Sequence, residues 1–172
     1  MNTISHIAAA LALFFAVLVF SKRPKSLPDI ILSLWLVLSA GNIFGQHLIS
    51  DHELVAPFLI ALNYALYFLH APLFYVYVKS LVNGAHKIHL LNCLHVLPAL
   101  LVFSLLLSMP PEGNAYLPYH SLQAGGAENV PVLVYVFRYA LIISALLYMT
   151  MVYIMLRQYN IRILNRFSSV DS

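Results

Sequence analysis

The chain has 172 residues, of which 62% are hydrophobic and 9% charged, with a formal net charge of +3 and a mean hydropathy of +0.85. A soluble domain carries about 25% charged residues, so this chain has too little polar surface to cover a water-soluble fold. A disordered tail, a collagen-like repeat and a disulfide-rich scaffold are excluded by the same counts, since Cys93 is the only cysteine. An all-α integral membrane bundle remains.

Five apolar segments are predicted, each judged against the roughly 20 residues that a spanning helix needs. The first covers 4–20 and ends at Ser21-Lys22-Arg23-Pro24, with Ala8, Ala12 and Ala16 forming a small-residue stripe for close helix approach. Positive charge comes after this run rather than before it, the reverse of a cleaved signal peptide. The second covers 29–49; Pro28 and Asp29 suit its start, and Gly41 and Gly45 give a GxxxG packing face. The third, 54–82, has Pro57 in its first turn and Pro72 inside, where a kink is expected. The fourth, 92–109, is the shortest and carries Pro98. After a Pro- and Gly-rich loop, Pro110 to Asn129, the fifth covers 130–157. Residues 1–158 thus form a transmembrane domain, and the fifth segment continues as a polar, basic helical stub in the cytoplasm, 159–172.

Orientation is set by where Lys and Arg fall in short loops. Lys22, Arg23, Lys25, Lys79, Lys87, Arg157, Arg162 and Arg166 fall on one side of the alternating segments, while the other loops hold Asp51, Glu53, Glu112 and Glu128. This predicts five spans in a bacterial inner membrane, with the N-terminus outside and the C-terminus in the cytoplasm.

Arg138 is the exception to that asymmetry, about 12 Å along the fifth segment at 1.5 Å per residue. An intramembrane arginine is costly and faces a partner or snorkels to the interface. Matching of depth puts Asn42 and Gln46 of the second segment and Asn63 of the third near its level. Two readings are open: an outward-opening pocket in which Arg138, Asn42, Gln46 and Asn63 bind a small-molecule ligand, or a set of interhelical hydrogen bonds that hold the bundle, the commoner use of such residues. His86 and His89 have i, i+3 spacing but no third ligand, so neither metal nor cofactor is expected. His70 and His95 are expected to bond within the bundle. No nucleophile motif, P-loop, HExxH or CxxC is present, and no enzyme is expected.

The order of several pieces carries a resemblance. Lys25-Ser26-Leu27-Pro28-Asp29 precedes a Leu- and Trp-rich helix; next comes His70-Ala71-Pro72-Leu73-Phe74-Tyr75-Val76-Tyr77-Val78-Lys79-Ser80-Leu81, then Leu94-His95-Val96-Leu97-Pro98, and finally Arg166-Phe167-Ser168-Ser169. Together they resemble the N-terminal membrane region of bacterial membrane-bound AraC-type helix-turn-helix transcriptional regulators. The resemblance implies a sensor region that passes a signal to a cytoplasmic effector, truncated here before the DNA-binding domain. It implies no direct nucleic-acid binding by this chain. The partners expected are the lipid bilayer, a small-molecule ligand from the outer side and a second copy of the chain. The membrane region of a sensor histidine kinase, or a small transporter or channel subunit, is the alternative.

Overall fold

Apolar side chains leave the backbone as the polar burden of this chain, and helices satisfy it internally. The computed structural model describes residues 2–51, 56–84, 94–108 and 132–168. They form five helices: α1 (Asn2–Ser21), α2 (Leu27–Asp51), α3 (Pro57–Asn83), α4 (Leu97–Leu107) and α5 (Val132–Ser168). Four of these, all but α4, are long and apolar enough to cross a membrane. The loop Pro110–Asn129, His86, Lys87, His89, Cys93, Glu53 and residues 169–172 lie outside the described residues.

Helices α1 and α2 form an antiparallel hairpin. Ser26 caps α2: its hydroxyl donates to Asp29 Oδ2 at 2.6 Å, its backbone N–H donates to the same oxygen at 3.0 Å, and the Asp29 N–H returns a bond to Ser26 Oγ at 3.4 Å. This is a reciprocal capping box, and Lys22 Nζ adds 3.1 Å contacts to both carboxylate oxygens. Further along the hairpin, Ser33 Oγ donates to the Ala16 carbonyl at 2.8 Å, and the rings of His6 and His47 meet edge to face at 4.4 Å. The buried small residues of α1 are Ala9 and Ala16, with Ala12 half-buried between them. Ala8, expected in that stripe, is exposed instead. The i, i+3, i+7 set tracks the 3.6-residue turn more closely than i, i+4, i+8 does.

The hub is α3, which packs against α2, α4 and α5. Ala61, Ala65 and Phe68 on one of its faces join Ala99, Val102 and Leu106 of α4 and Phe137 of α5 in a buried cluster. Phe58 stacks edge to face on Phe103 while Tyr75 meets His95, so α4 runs antiparallel to α3. Tyr75 also packs on Tyr148 at 5.9 Å, and the Arg138 guanidinium lies within electrostatic reach of Tyr64. The order of these pairs makes α5 parallel to α3. The chain therefore returns along α4 between two parallel helices.

Element bounds differ from expectation where local chemistry intervenes. The α-helical part of α4 begins at Leu97 after a 3₁₀ turn at 94–96, because Pro98 in the first turn cannot continue a preceding helix. Helix α3 runs unbroken through Pro72 and ends on Gly84 at φ +58°, a left-handed cap that glycine adopts without penalty. Helix α5 continues past Arg157 to Ser168, through the basic stretch expected to be a helical stub, since no glycine or proline interrupts it.

Candidate functional site

Polar residues recur on α2 at Trp35, Ser39, Asn42 and Gln46, and on α3 at Asn63, Tyr67 and His70, with Phe74 one turn beyond. These i, i+4, i+7, i+11 positions form one stripe per helix. Because α2 and α3 are antiparallel, the stripes meet rung by rung. Trp35 packs on Phe74 with ring centroids 5.6 Å apart and donates its indole N–H to His70 Nδ1 at 2.9 Å. The Asn42 side-chain amide meets His70 Nε2 at 3.2 Å. Tyr67 donates its hydroxyl to Gln46 Oε1 at 2.9 Å. Ser39 bonds back to the Trp35 carbonyl at 2.8 Å.

Donor chemistry fixes the state of His70. An indole N–H only donates, so Nδ1 must accept and the neutral ring carries its proton on Nε2. That N–H requires an acceptor, which is satisfied when the Asn42 amide is turned with Oδ1 toward the ring. In the opposite orientation Asn42 Oδ1 is buried without a partner while two donors confront each other. The turned amide gives Oδ1 the ring N–H and ends the confrontation of two donors, leaving Nδ2 at the buried position without a partner, and His70 becomes a relay that accepts from Trp35 and donates to Asn42.

Asn63 closes the end of the seam nearest the α3 N-terminus. It is only 6% exposed, and its Oδ1 has no hydrogen-bond partner. A Cβ placed on Gly45 would lie 3.1 Å from that oxygen, so the absence of a side chain at Gly45 is what admits the asparagine. Gly41, expected to share this face, has nothing within 4 Å of where a Cβ would sit. It is exposed, outside the α2–α3 contact that Gly45 makes.

Of the four residues expected to line a pocket, the structure brings Asn42, Gln46 and Asn63 to the α2–α3 seam. Arg138 is exposed and adjoins Tyr64; among the described residues no hydrogen bond joins it to the other three. The reason is angular: depth matching fixes height, whereas Tyr64 is rotated about 100° from Asn63 on the α3 surface. Trp35, Tyr67 and His70 complete the seam, and the stripe spacing is the signal in the sequence that pairs them.

A second polar group lies nearer the C-terminal end of α3. His95 Nδ1 and the Tyr148 hydroxyl are 2.9 Å apart, and Tyr75 packs on both rings. Between this group and the seam is a cavity of about 240 Å³ bordered by Trp35, His70, Phe74, Ala145, Tyr148 and Met149, largely apolar side chains. Among the described residues no three His, Cys, Asp or Glu side chains gather as a metal site would require. No family model, curated protein or solved structure matches this chain.

Proposed function

We propose that the chain is a membrane-embedded, non-catalytic input region that carries a signal along α5 to a cytoplasmic effector. One observation carries this reading: α5 is a single helix of 37 residues, about 55 Å long at 1.5 Å per residue, against a hydrocarbon core of about 30 Å. Its apolar stretch leads without a break into Arg157, Arg162 and Arg166. A change in packing against α3 is therefore delivered to the far end of the same rod. The distribution of Lys and Arg supports an outer N-terminus and a cytoplasmic C-terminus. The antiparallel return of α4 between parallel α3 and α5 supports five crossings, with the bilayer thinning locally or flanking residues extending the short α4. A bacterial inner membrane is the location this topology suits.

The signal enters, on this reading, at the α2–α3 seam, where Asn42, Gln46 and Asn63 meet and Asn63 offers an unpaired acceptor. A small molecule with a hydrogen-bond donor would bias the bundle by binding one packing of α2 on α3 better than another. Arg138 would then act from the rim beside Tyr64 rather than inside the seam. Effectors of the AraC type or a histidine kinase would be served equally by such an output helix. The His95–Tyr148 pair favours a transport path as the rival reading, but the cavity between it and the seam is lined largely by apolar side chains such as Phe74, Ala145 and Met149.

The test places a reporter domain after Ser172 in the full chain and a small tag before Asn2. The expected result is a tail shielded from membrane-impermeant label, an exposed N-terminal tag, and reporter output altered by Asn42→Leu or Gln46→Leu at unchanged membrane levels. A tail labelled from outside, or output indifferent to substitutions at Asn42, Gln46 and Asn63, would refute the proposal.

A further inference from the structure

Tyr75, Lys79 and Asn83 lie at i, i+4, i+8 along α3, and Met151, Met155, Gln158 and Arg162 occupy one face of α5. The two faces border a groove of about 860 Å³ between the parallel helices. Its polarity is graded. Tyr75 and the two methionines form the apolar floor toward the bundle centre, with Lys79 level with them, whereas Arg162 and the amides of Asn83 and Gln158 lie toward the helix ends. Lys79 Nζ lies 5.6 Å from the centroid of the Tyr75 ring, and among the described residues that border the groove none is acidic.

We propose that this groove is a binding site for one anionic phospholipid. The headgroup phosphate is held by Arg162 and the two amides, with Lys79 turned from Tyr75 toward Asn83 to reach it, and an acyl chain lies along Met151 and Met155. Two observations select this occupant. Guanidinium and ammonium groups with amide donors match phosphate oxygens, and the apolar trough continues from them toward the bilayer midplane, where an acyl chain of that lipid must go. A soluble anion would use only the upper half of the groove, and a zwitterionic lipid would set its own cation beside Lys79 and Arg162. The bound lipid would bridge α3 and α5 just where α5 leaves the bundle. The proposal stands independently of the signalling reading, since it needs only the α3–α5 pair in a bilayer.

The test uses the full chain, purified in detergent and mixed with phosphatidylglycerol or phosphatidylcholine, with retained lipid counted by native mass spectrometry. One phosphatidylglycerol is expected to be retained in preference to phosphatidylcholine. Lys79→Gln with Arg162→Gln is expected to weaken retention about tenfold or more, the loss of charge-assisted bonds to phosphate. Arg157→Gln is the control, because Arg157 is exposed at the same level but does not border the groove; it should retain the lipid as the parent does. Should the double variant fold poorly, Arg162→Gln alone carries the test, since Arg162 is exposed. Equal retention of both lipids, equal losses in the Arg157 and Arg162 variants, or full displacement by millimolar inorganic phosphate would overturn the proposal.

Discussion

Replacing His70 with leucine breaks the relay at its centre. Two interhelical contacts are lost, the bond from Trp35 Nε1 at 2.9 Å and that with the Asn42 amide at 3.2 Å. Bonds between membrane helices contribute about 0.6 kcal/mol on average and at most about 1.7 kcal/mol each, so His70→Leu should destabilise the bundle by about 1–3 kcal/mol. The assay is unfolding of the full chain by a denaturing detergent in mixed micelles, monitored by helical circular dichroism. Trp35 is the sole tryptophan, and its emission should move to the blue when the indole N–H loses its acceptor. A double-mutant cycle with Trp35→Phe isolates one bond, with circular dichroism as the readout because that variant has no tryptophan. A coupling below about 0.3 kcal/mol, within the scatter of independent sites, together with unmoved emission in His70→Leu, would refute the relay.

Tyr67→Phe removes only the hydroxyl that bonds Gln46 and should cost about 0.6 kcal/mol in the same unfolding assay, with Gln46→Leu adding little once Tyr67 is phenylalanine. Gly45→Val should cost about 1–3 kcal/mol by overpacking against Asn63, whereas Gly41→Val, with open space around it, should leave the midpoint nearly unchanged; equal effects would contradict the assigned face. Ser26→Ala removes the cap of α2 and should cost about 1 kcal/mol, visible as faster amide exchange at Asp29 and Ile30. Lys22→Ala should alter that exchange far less, because an exposed ion pair contributes little.

The helices are legible because each is an apolar run closed by charge, proline or glycine, as at Ser21-Lys22-Arg23-Pro24 and Asn83-Gly84. The α4 boundary is harder: Leu94 to Val96 contains no Gly, Pro, Lys, Arg, Asp or Glu, and only the proline rule at Pro98 shortens the helix. At the site, heights along the membrane normal are readable by counting 1.5 Å per residue, which places Asn42, Gln46 and Asn63 at one level. Angles around each axis depend on which neighbours a helix has, and α3 has three. Nothing in the sequence says that Tyr64 turns toward α5 while Asn63 turns toward α2, so counting alone groups Arg138 with residues on another face. The matched stripes on α2 and α3 do carry that angular information, once the two helices are known to be adjacent and antiparallel.

Among its described side chains, α5 buries Phe137 and Val152 against the bundle. The stretch between them is about 22 Å long and the overhang from Val152 to Ser168 about 24 Å, at 1.5 Å per residue. With Val152 as the fulcrum, the arms of this lever are nearly equal. With Val152 fixed, a sideways nudge of an ångström or two at Phe137 would reach Ser168 with similar amplitude and opposite sense, so a rigid rod of these proportions would reverse a displacement without attenuating it.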